Sequence, residues 1–155
     1  MQITTLRKAT ETDVPALYTA LQAMVLEQKI EHRFNLTPQK LSEVLFAKNN
    51  GGAEVLCATD NDKILGFVLY SETNRNFDLF DGPGLYVHDI FVYPEFRRQG
   101  IGRKLMDQII EESKGRNYSR IDWVQFKKNT IGDHFFKAVQ GTQGVDYIDY
   151  KRIVL

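Results

Sequence analysis

The segment from Tyr93 to Arg103 combines residue types that bind phosphate groups. It follows an apolar run, Leu85–Val92, and precedes an amphipathic pattern that predicts a helix from Gly100 to about Lys114. Gly100 and Gly102 let the backbone approach a bulky ligand because glycine has no Cβ atom. The first N–H groups of the helix and its dipole attract anions. Three arginines add positive charge: Arg97, Arg98 and Arg103. The segment therefore predicts a pyrophosphate-binding turn.

The glycine pattern of this turn also has a structural interpretation. An ordinary strand-to-helix turn uses glycines for tight packing, and two glycines at this spacing arise by chance because glycine makes up about 7% of residues. The pattern differs from a Rossmann fingerprint, which needs three glycines at another spacing. It differs from a P-loop because no Gly-Lys-Ser/Thr follows. Its position between an apolar strand and an amphipathic helix favours ligand binding over packing.

Composition and charge exclude several classes of protein. The 155 residues carry 20 Lys and Arg against 20 Asp and Glu, and zero net charge argues against nucleic-acid binding by bulk electrostatics, while a local basic patch stays open. The longest apolar run, Ile64–Tyr70, is far shorter than the roughly 20 residues of a membrane span, and the first residues lack a signal-peptide core. Cys57 is the only cysteine, which excludes an intrachain disulfide and a thiolate metal cluster. We therefore expect one cytoplasmic domain, residues 1–155, with no membrane or nucleic-acid partner.

The apolar periodicity of the chain predicts alternating strands and helices. The predicted strands are Ile3–Lys8, Ala53–Thr59, Lys63–Ser71, Leu85–Val92, Arg120–Phe126 and Tyr147–Leu155. The predicted helices begin at Thr10, Thr37, Gly100 and Asn129, and Gly115 is expected to end the third. The order β-α-α-β-β-β-α-β-α-β predicts a mixed α/β domain with one sheet covered by helices.

The phosphate-binding segment, extended to Val92–Met106, resembles the acetyl-CoA signature of the GNAT (Gcn5-related) N-acetyltransferases. Further parts of the chain are similar to elements of that family: Leu6–Thr10 with Asp13, Asn129, and Phe135–Lys137 with Gly141. Within the family, the chain most resembles the spermidine/spermine (diamine) acetyltransferases, through His88–Val92 and Gly66–Phe67 with Tyr70. The likeness covers nearly the whole chain.

The resemblance implies the GNAT fold, of the α/β (α+β) class. Such a fold has a single mixed sheet of about six or seven strands flanked by about four helices, with strands four and five splayed to admit acetyl-CoA. It implies acetyl-CoA as cosubstrate and no metal. Strand four would pair with the pantetheine arm, the turn would hold the pyrophosphate, and Asn129 and Phe136 would contact the arm and the thioester. The implied cofactor-binding residues are Ile90, Phe91, Val92, Arg97, Arg98, Gln99, Gly100, Ile101, Gly102, Arg103, Asn129 and Phe136.

The resemblance also implies direct attack of a neutral amine on the thioester. An alkylammonium has a pKa of about 10.4, so a base must remove its proton. The diamine acetyltransferases carry a glutamate where this chain has His88, and the family's tyrosine that protonates the thiolate is replaced here by Phe136. Histidine accepts protons near neutral pH, so we predict that His88 is the catalytic base, directly or through water. The alternative is a partly buried histidine that only forms hydrogen bonds.

The acceptor is predicted to be a small molecule with a primary amine: a diamine, a polyamine or an amino-acid-like compound. The residues predicted to contact it are Glu27, Asp81, Tyr86 and His88. Carboxylates attract cationic amines, although solvated surface charge is the alternative for Glu27 and Asp81. Two other functions stay open: a protein or peptide N-acetyltransferase, and a non-catalytic acyl-CoA-binding regulatory module. The three histidines match no metal-ligand spacing, and the resemblance leaves a homodimer open.

Overall fold

The fold is described from a computed structural model, which covers residues 4–49, 51–75, 77–125 and 129–141. Its strands are β1 (Thr5–Lys8), β2 (Glu54–Asp60), β3 (Lys63–Thr73), β4 (Gly84–Val92) and β5 (Ile121–Trp123). Its helices are α1 (Val14–Glu27), α2 (Pro38–Phe46), α3 (Ile101–Gly115) and α4 (Thr130–Ala138). The chain divides into two compact units, Met1–Val124 and Gln125–Leu155.

The first unit is built on one mixed sheet in the order β1-β2-β3-β4-β5. Neighbouring strands are antiparallel except β4 and β5, which run parallel. Helices α1 and α2 bury their apolar sides against one face of the sheet, and α3 covers the other. Cys57 lies in the first of these cores with no exposed surface, and burial raises the pKa of its thiol to about 12.

The mixed α/β class is confirmed, but the sheet has five strands within the described residues rather than the expected six or seven. The predicted strand Tyr147–Leu155 lies outside those residues. Strand β5 is shorter than the predicted Arg120–Phe126, whose last residue is also outside the described part. Its parallel ladder joins Ile121–Trp123 to Leu85–Val87, whereas β4 continues to Val92.

Local signals place the ends of the helices. The backbone N–H of Thr10 donates to Asp13, and the hydroxyl of Thr37 accepts from the N–H of Lys40 at the start of α2. Helix α3 ends at Gly115 as predicted, but Gly115 is its last residue rather than a cap beyond it, and Asn117 adopts the left-handed conformation after the helix (φ +56°). Asparagine tolerates that region better than most residues, which explains the difference.

The second unit contributes α4, which the side chain of Asn129 caps by accepting from the N–H of Gly132 at 2.9 Å. Across the described residues, none of the helices combines the length and apolar character that a bilayer crossing requires. The same residues hold no group of three or more His, Cys, Asp or Glu side chains arranged to bind a metal ion.

Candidate active site

Strand β4 contains a β-bulge at His88. In the register with β3, Leu69 lies opposite Asp89 and Tyr70 lies opposite Val87, so His88 is an extra residue without a partner. A bulge of this kind re-aims the side chains of the strand on either side of it.

The bulge decides which face of the sheet the polar side chains of β4 occupy. Val87 packs in the core under α3, whereas Phe91 packs in the core under α1 and α2, as does Leu69. Asp89 is directly opposite Leu69 and two residues before Phe91, so alternation places it on the α1 and α2 face. In a regular strand without the bulge, Asp89 would share a face with Val87 and would point towards α3.

Four polar side chains lie around the bulge on the α1 and α2 face of the sheet, and we call Ser71, Tyr86, His88 and Asp89 the bulge cluster. The Oγ atom of Ser71 lies 2.8 Å from Nε2 of His88. The rings of Tyr86 and His88 meet edge to face, with 5.0 Å between their centroids. Ser71 and Tyr86 are direct partners across β3 and β4. A proton acceptor, two hydroxyls and a carboxyl thus lie on one patch of the sheet.

Loss of water shifts the pKa values of two cluster members in opposite directions. It lowers the pKa of His88 below its ordinary value and raises the pKa of Asp89 to about 6. Both shifts follow from desolvation, which penalises the charged form of either group. Within the described residues, the Asp89 carboxyl has no hydrogen-bond or ion-pair partner. At neutral pH, His88 is therefore uncharged and able to accept a proton.

The turn between β4 and α3 has the form of an anion-binding cradle. Arg98 and Gly100 both adopt positive φ angles, +62° and +78°, around Gln99. The first helical hydrogen bond of α3 is donated by Lys104 N–H to the Gly100 carbonyl at 3.0 Å. Earlier N–H groups, those of Gly100, Ile101 and Gly102, donate to no backbone carbonyl in the described part of the chain. Converging free N–H groups of this kind bind phosphate oxygens.

The space in front of this turn is open. A Cβ atom built on Gly100 meets no other atom within 4 Å, so the protein itself does not fill the position. The exposed Arg98 side chain and that of Arg103, which pairs with Asp107 at 3.0 Å, surround the opening with charge. The residues present therefore fit a pyrophosphate group.

Arg97 and Glu27 were predicted to bind different ligands, but the structure joins them. Both Nη atoms of Arg97 donate to the Glu27 carboxylate at 2.6 Å, and its Nε donates to the Val92 carbonyl at 2.8 Å. This pair connects the last residue of α1 to the turn after β4. In this conformation, the guanidinium of Arg97 balances the negative charge of the Glu27 carboxylate.

The remaining predicted residues belong to the loop before β4, to the end of β4 and to the second unit. Asp81 is exposed in the loop before β4, and in the described residues it forms no hydrogen bond or ion pair with the cluster. Asn129 caps α4 in the second unit, where Phe136 is half-buried with its ring 5.3 Å from that of Phe135. The strand residues Ile90, Phe91 and Val92 continue β4 from the bulge to the turn.

Sequence reasoning missed Ser71 and Asp89. One signal was available: His88 and Asp89 are consecutive polar residues in an otherwise apolar strand, which breaks the alternation expected of a regular strand. Such a break is typical of a bulge. Ser71 carried no signal, because its contact with His88 depends on the pairing of β3 with β4.

The family model, the relatives and the solved structure that this chain resembles are all of acetyltransferases. Residues 16–141 match the model of the Acetyltransferase (GNAT) family. Thialysine N-epsilon-acetyltransferase of Mus musculus is 24% identical over 149 residues, covering 90% of this chain and 86% of that protein. L-ornithine N5-acetyltransferase NATA1 of Arabidopsis thaliana is 21% identical over 178 residues, with 86% and 77% covered. The structure of aminoglycoside N-acetyltransferase AAC(6')-Iy in complex with CoA superposes with a TM-score of 0.79 at 16% identity, covering 98% and 96%.

Proposed function

Because the chain belongs to the acetyltransferase (GNAT) family and is an N-acetyltransferase, we propose that it transfers the acetyl group of acetyl-CoA to a primary amine of a small molecule. The observation that carries the proposal is the arrangement of β4 (Gly84–Val92): a proton acceptor lies at its bulge and an anion-binding turn follows its end. One strand thus sets the distance between the acceptor amine and the phosphate groups of the donor.

The turn supports the assignment of the donor. Acetyl-CoA, when bound, supplies the acetyl group as a thioester. We assign its pyrophosphate to the N–H groups of residues 99–103 and to the Arg98 side chain. We assign its arm to the backbone of Ile90, Phe91 and Val92, where the described ladder between β4 and β5 has already ended. The splaying of these strands and the participation of Asn129 and Phe136 belong to the same proposal.

The imidazole of His88 accepts the amine proton, and Ser71 holds that imidazole in position. If Nε2–H of His88 donates to Ser71 Oγ, the lone pair of Nδ1 is free to act as the base. The amine nitrogen then forms a bond to the acetyl carbon, the carbon–sulfur bond breaks, and the amine proton passes to Nδ1. Phe136 has no proton for the leaving thiolate, so the proton comes from water or from Tyr93, whose hydroxyl pKa is raised by burial.

A small acceptor is supported by the names of two relatives, which describe acetylation of side-chain amines of thialysine and ornithine. Both amines are primary alkylamines, the class that a single proton acceptor in a partly dehydrated site can activate. The single domain over residues 1–155, the cytoplasmic location and the homodimer remain predictions.

An amine panel tests this function. The protein is incubated with acetyl-CoA and diamines, polyamines, basic amino acids or lysine-containing peptides from about pH 6 to about pH 9. Thiol release and product mass are recorded. We expect one acetylated small amine for each CoA released. Turnover of peptides only would indicate a protein acetyltransferase, and CoA binding without turnover on any amine would indicate a regulatory module.

A further inference from the structure

We propose that Arg120 is a positioning residue for the reaction. Its guanidinium joins the two ends of the loop between β3 and β4, and it thereby keeps Ser71 where Ser71 can orient the imidazole of His88. This inference rests on the proposed function and adds the residue that fixes the geometry of its base. We call the described residues between these strands, 74–75 and 77–83, the hairpin loop.

The Arg120 side chain contacts both ends of the hairpin loop. Its Nη1 atom donates to the Gly82 carbonyl at 3.0 Å, and its Nη2 atom donates to the Arg75 carbonyl. Its Nε atom donates to the Asp122 carboxylate at 2.9 Å, and its guanidinium carbon lies 4.6 Å from the centre of the Phe80 ring. A planar guanidinium serves these three acceptors at once, which the single ammonium of a lysine does not match.

Apolar burial contributes little to the position of this loop. Its three large apolar side chains are exposed, Phe77 by 58%, Leu79 by 75% and Phe80 by 47%. The Arg120 side chain, in contrast, is only 9% exposed. A charged group withdrawn from water depends on its hydrogen bonds, because an unpaired buried charge is costly. The contacts of Arg120 therefore fix the loop more than hydrophobic packing does.

Arg120 lies beside the bulge cluster. In β5, Ile121 and Trp123 pack against the core under α3, so Asp122 between them points to the opposite face, as the cluster does. The ion pair with Asp122 places the Arg120 guanidinium on that face as well. Asp122 is the register partner of Tyr86, a member of the cluster.

The hairpin loop connects the strand ends that hold Ser71 and Tyr86. These two residues are direct partners, and only two further pairs of the ladder lie between them and the loop. The last pairs of a ladder open easily when the loop beyond them is free. Release of the loop from Arg120 would therefore displace Ser71, whose Oγ atom lies 2.8 Å from Nε2 of His88.

Two other roles for Arg120 predict different results. If Arg120 only stabilised the fold, its loss would lower the free energy of unfolding, but the folded protein would keep the wild-type kinetics and an unchanged His88 ring. If Arg120 acted only by balancing the charge of Asp122, Asp122→Asn would have the same effect as a substitution of Arg120.

The first test needs no substrate and records the NMR signals of the His88 ring. Arg120→Lys keeps the charge but loses the planar set of donors, and Ser71→Ala removes the hydroxyl. Both variants are expected to change the tautomer populations and the pKa of the imidazole in the same direction, because both release the ring. Arg7→Lys is the matched control: Arg7 also binds a carboxylate, that of Asp13 at 2.7 Å, but it lies in β1, four strands from β5, and should leave the ring unchanged.

The second test is a double-mutant cycle on kcat. Arg120→Lys alone should lower kcat by about 10- to 100-fold, because the base is displaced. In the Ser71→Ala background, the same substitution should change kcat by less than about twofold, since both act on one contact. Asp122→Asn leaves both loop contacts of Arg120 in place and should change kcat by less than about threefold. The Kd for CoA should stay within about twofold, because the pyrophosphate turn follows the other end of β4.

A third variant leaves Arg120 intact. A Gly-Gly insertion between Asp78 and Leu79, both exposed, lengthens the middle of the hairpin loop, where insertions are tolerated. Because Arg120 still holds both ends, the His88 ring signals should stay as in the wild-type protein. Their loss would overturn the inference, and this variant decides the question even if Arg120→Lys does not fold.

The outcomes distinguish this inference from the proposed function. An unchanged His88 ring in Arg120→Lys, or additive losses in the double variant, would overturn the inference and leave the acetyltransferase function in place. A loss in Asp122→Asn as large as that in Arg120→Lys would do the same. Absence of turnover on every amine by the wild-type protein would overturn the proposed function and, with it, the role of Arg120 in the reaction.

Discussion

His88 and Asp89 are neighbours in the chain, and desolvation acts on both. It lowers the pKa of the imidazole and raises that of the carboxyl to about 6, because the uncharged form of each needs less water. Near neutral pH, His88 is neutral and Asp89 is largely ionised. One residue can therefore take a proton while the next carries a negative charge, and each state can be tested by a single substitution.

Replacing His88 with alanine is expected to lower kcat/KM by about 100- to 10,000-fold near neutral pH, because the amine then loses its proton acceptor. The loss should become smaller as the pH approaches the amine pKa of about 10.4, where the substrate loses its proton to water. The pH–rate profiles of the variant and of His32→Ala, an exposed histidine in the turn Glu31–Arg33, would be compared. An unchanged profile in His88→Ala would remove the histidine from the chemistry.

Asp89→Asn is expected to change the pH dependence of stability. With a pKa of about 6 in the folded protein against 3.8 when exposed, the folded state holds the proton more tightly. The free energy contributed by this carboxyl therefore falls as the pH rises through that window. The asparagine variant should gain about 1 to 3 kcal/mol over the wild-type protein at about pH 8, relative to the difference at about pH 4. Urea unfolding at both pH values measures this, and a pH-independent difference would contradict it.

At the scale of elements, the turn between β4 and α3 depends on a left-handed glycine. Gly100 has φ +78°, and Gly52, in the loop before β2, has φ +77°; a Cβ atom would meet no other atom within 4 Å at either position. The two glycines are therefore matched in backbone conformation and in free space, and only Gly100 precedes a helix.

Substituting either glycine with alanine should reduce the free energy of unfolding by about 1 kcal/mol, because alanine is strained at positive φ. Only Gly100→Ala should weaken CoA binding, by at least about tenfold, because its methyl group enters the space assigned to the pyrophosphate. Urea unfolding and calorimetry with CoA separate the two effects. Equal CoA affinity in Gly100→Ala and Gly52→Ala would contradict the assignment of the turn.

The ion pair between Glu27 and Arg97 joins α1 to the same turn. Because the Glu27 carboxylate is already bound by two guanidinium N–H groups, we expect Glu27→Gln to leave the KM for the amine within about twofold. The variant should lose up to about 1 kcal/mol of stability, as near-surface pairs do. Glu31→Gln, an exposed carboxylate nearby in the chain, is the control. A several-fold increase in amine KM for Glu27→Gln alone would assign this residue to the acceptor instead.

At the scale of the molecule, features that depend on residues close together in the chain could be predicted, whereas features that depend on contacts between distant segments could not. The caps at Thr10 and Thr37 and the passage from β4 to the helix after Gly100 depend on residues a few positions apart, so the sequence displays them. The bulge at His88 depends on how β4 pairs with β3. The partner of Glu27 lies 70 positions along the chain. Such contacts form only when separate elements pack together.

The family resemblance compensated for part of this gap. The residues of the turn already predicted a pyrophosphate site, and the resemblance added acetyl-CoA as its expected ligand and His88 as the expected base. The face that Asp89 occupies became visible only from the pairing of β3 with β4. Motif reasoning therefore reached the residues of β4 but not the bulge that sets the faces on which they lie.

The burial of Cys57 gives this enzyme a convenient internal reporter. Its sulfhydryl has no exposed surface and a pKa of about 12, so a chromogenic disulfide reagent should ignore the folded chain and count only liberated coenzyme. In denaturant, the same reagent should instead label Cys57 at the rate at which the core opens. The same reagent can therefore measure both the rate of CoA release and the rate of unfolding.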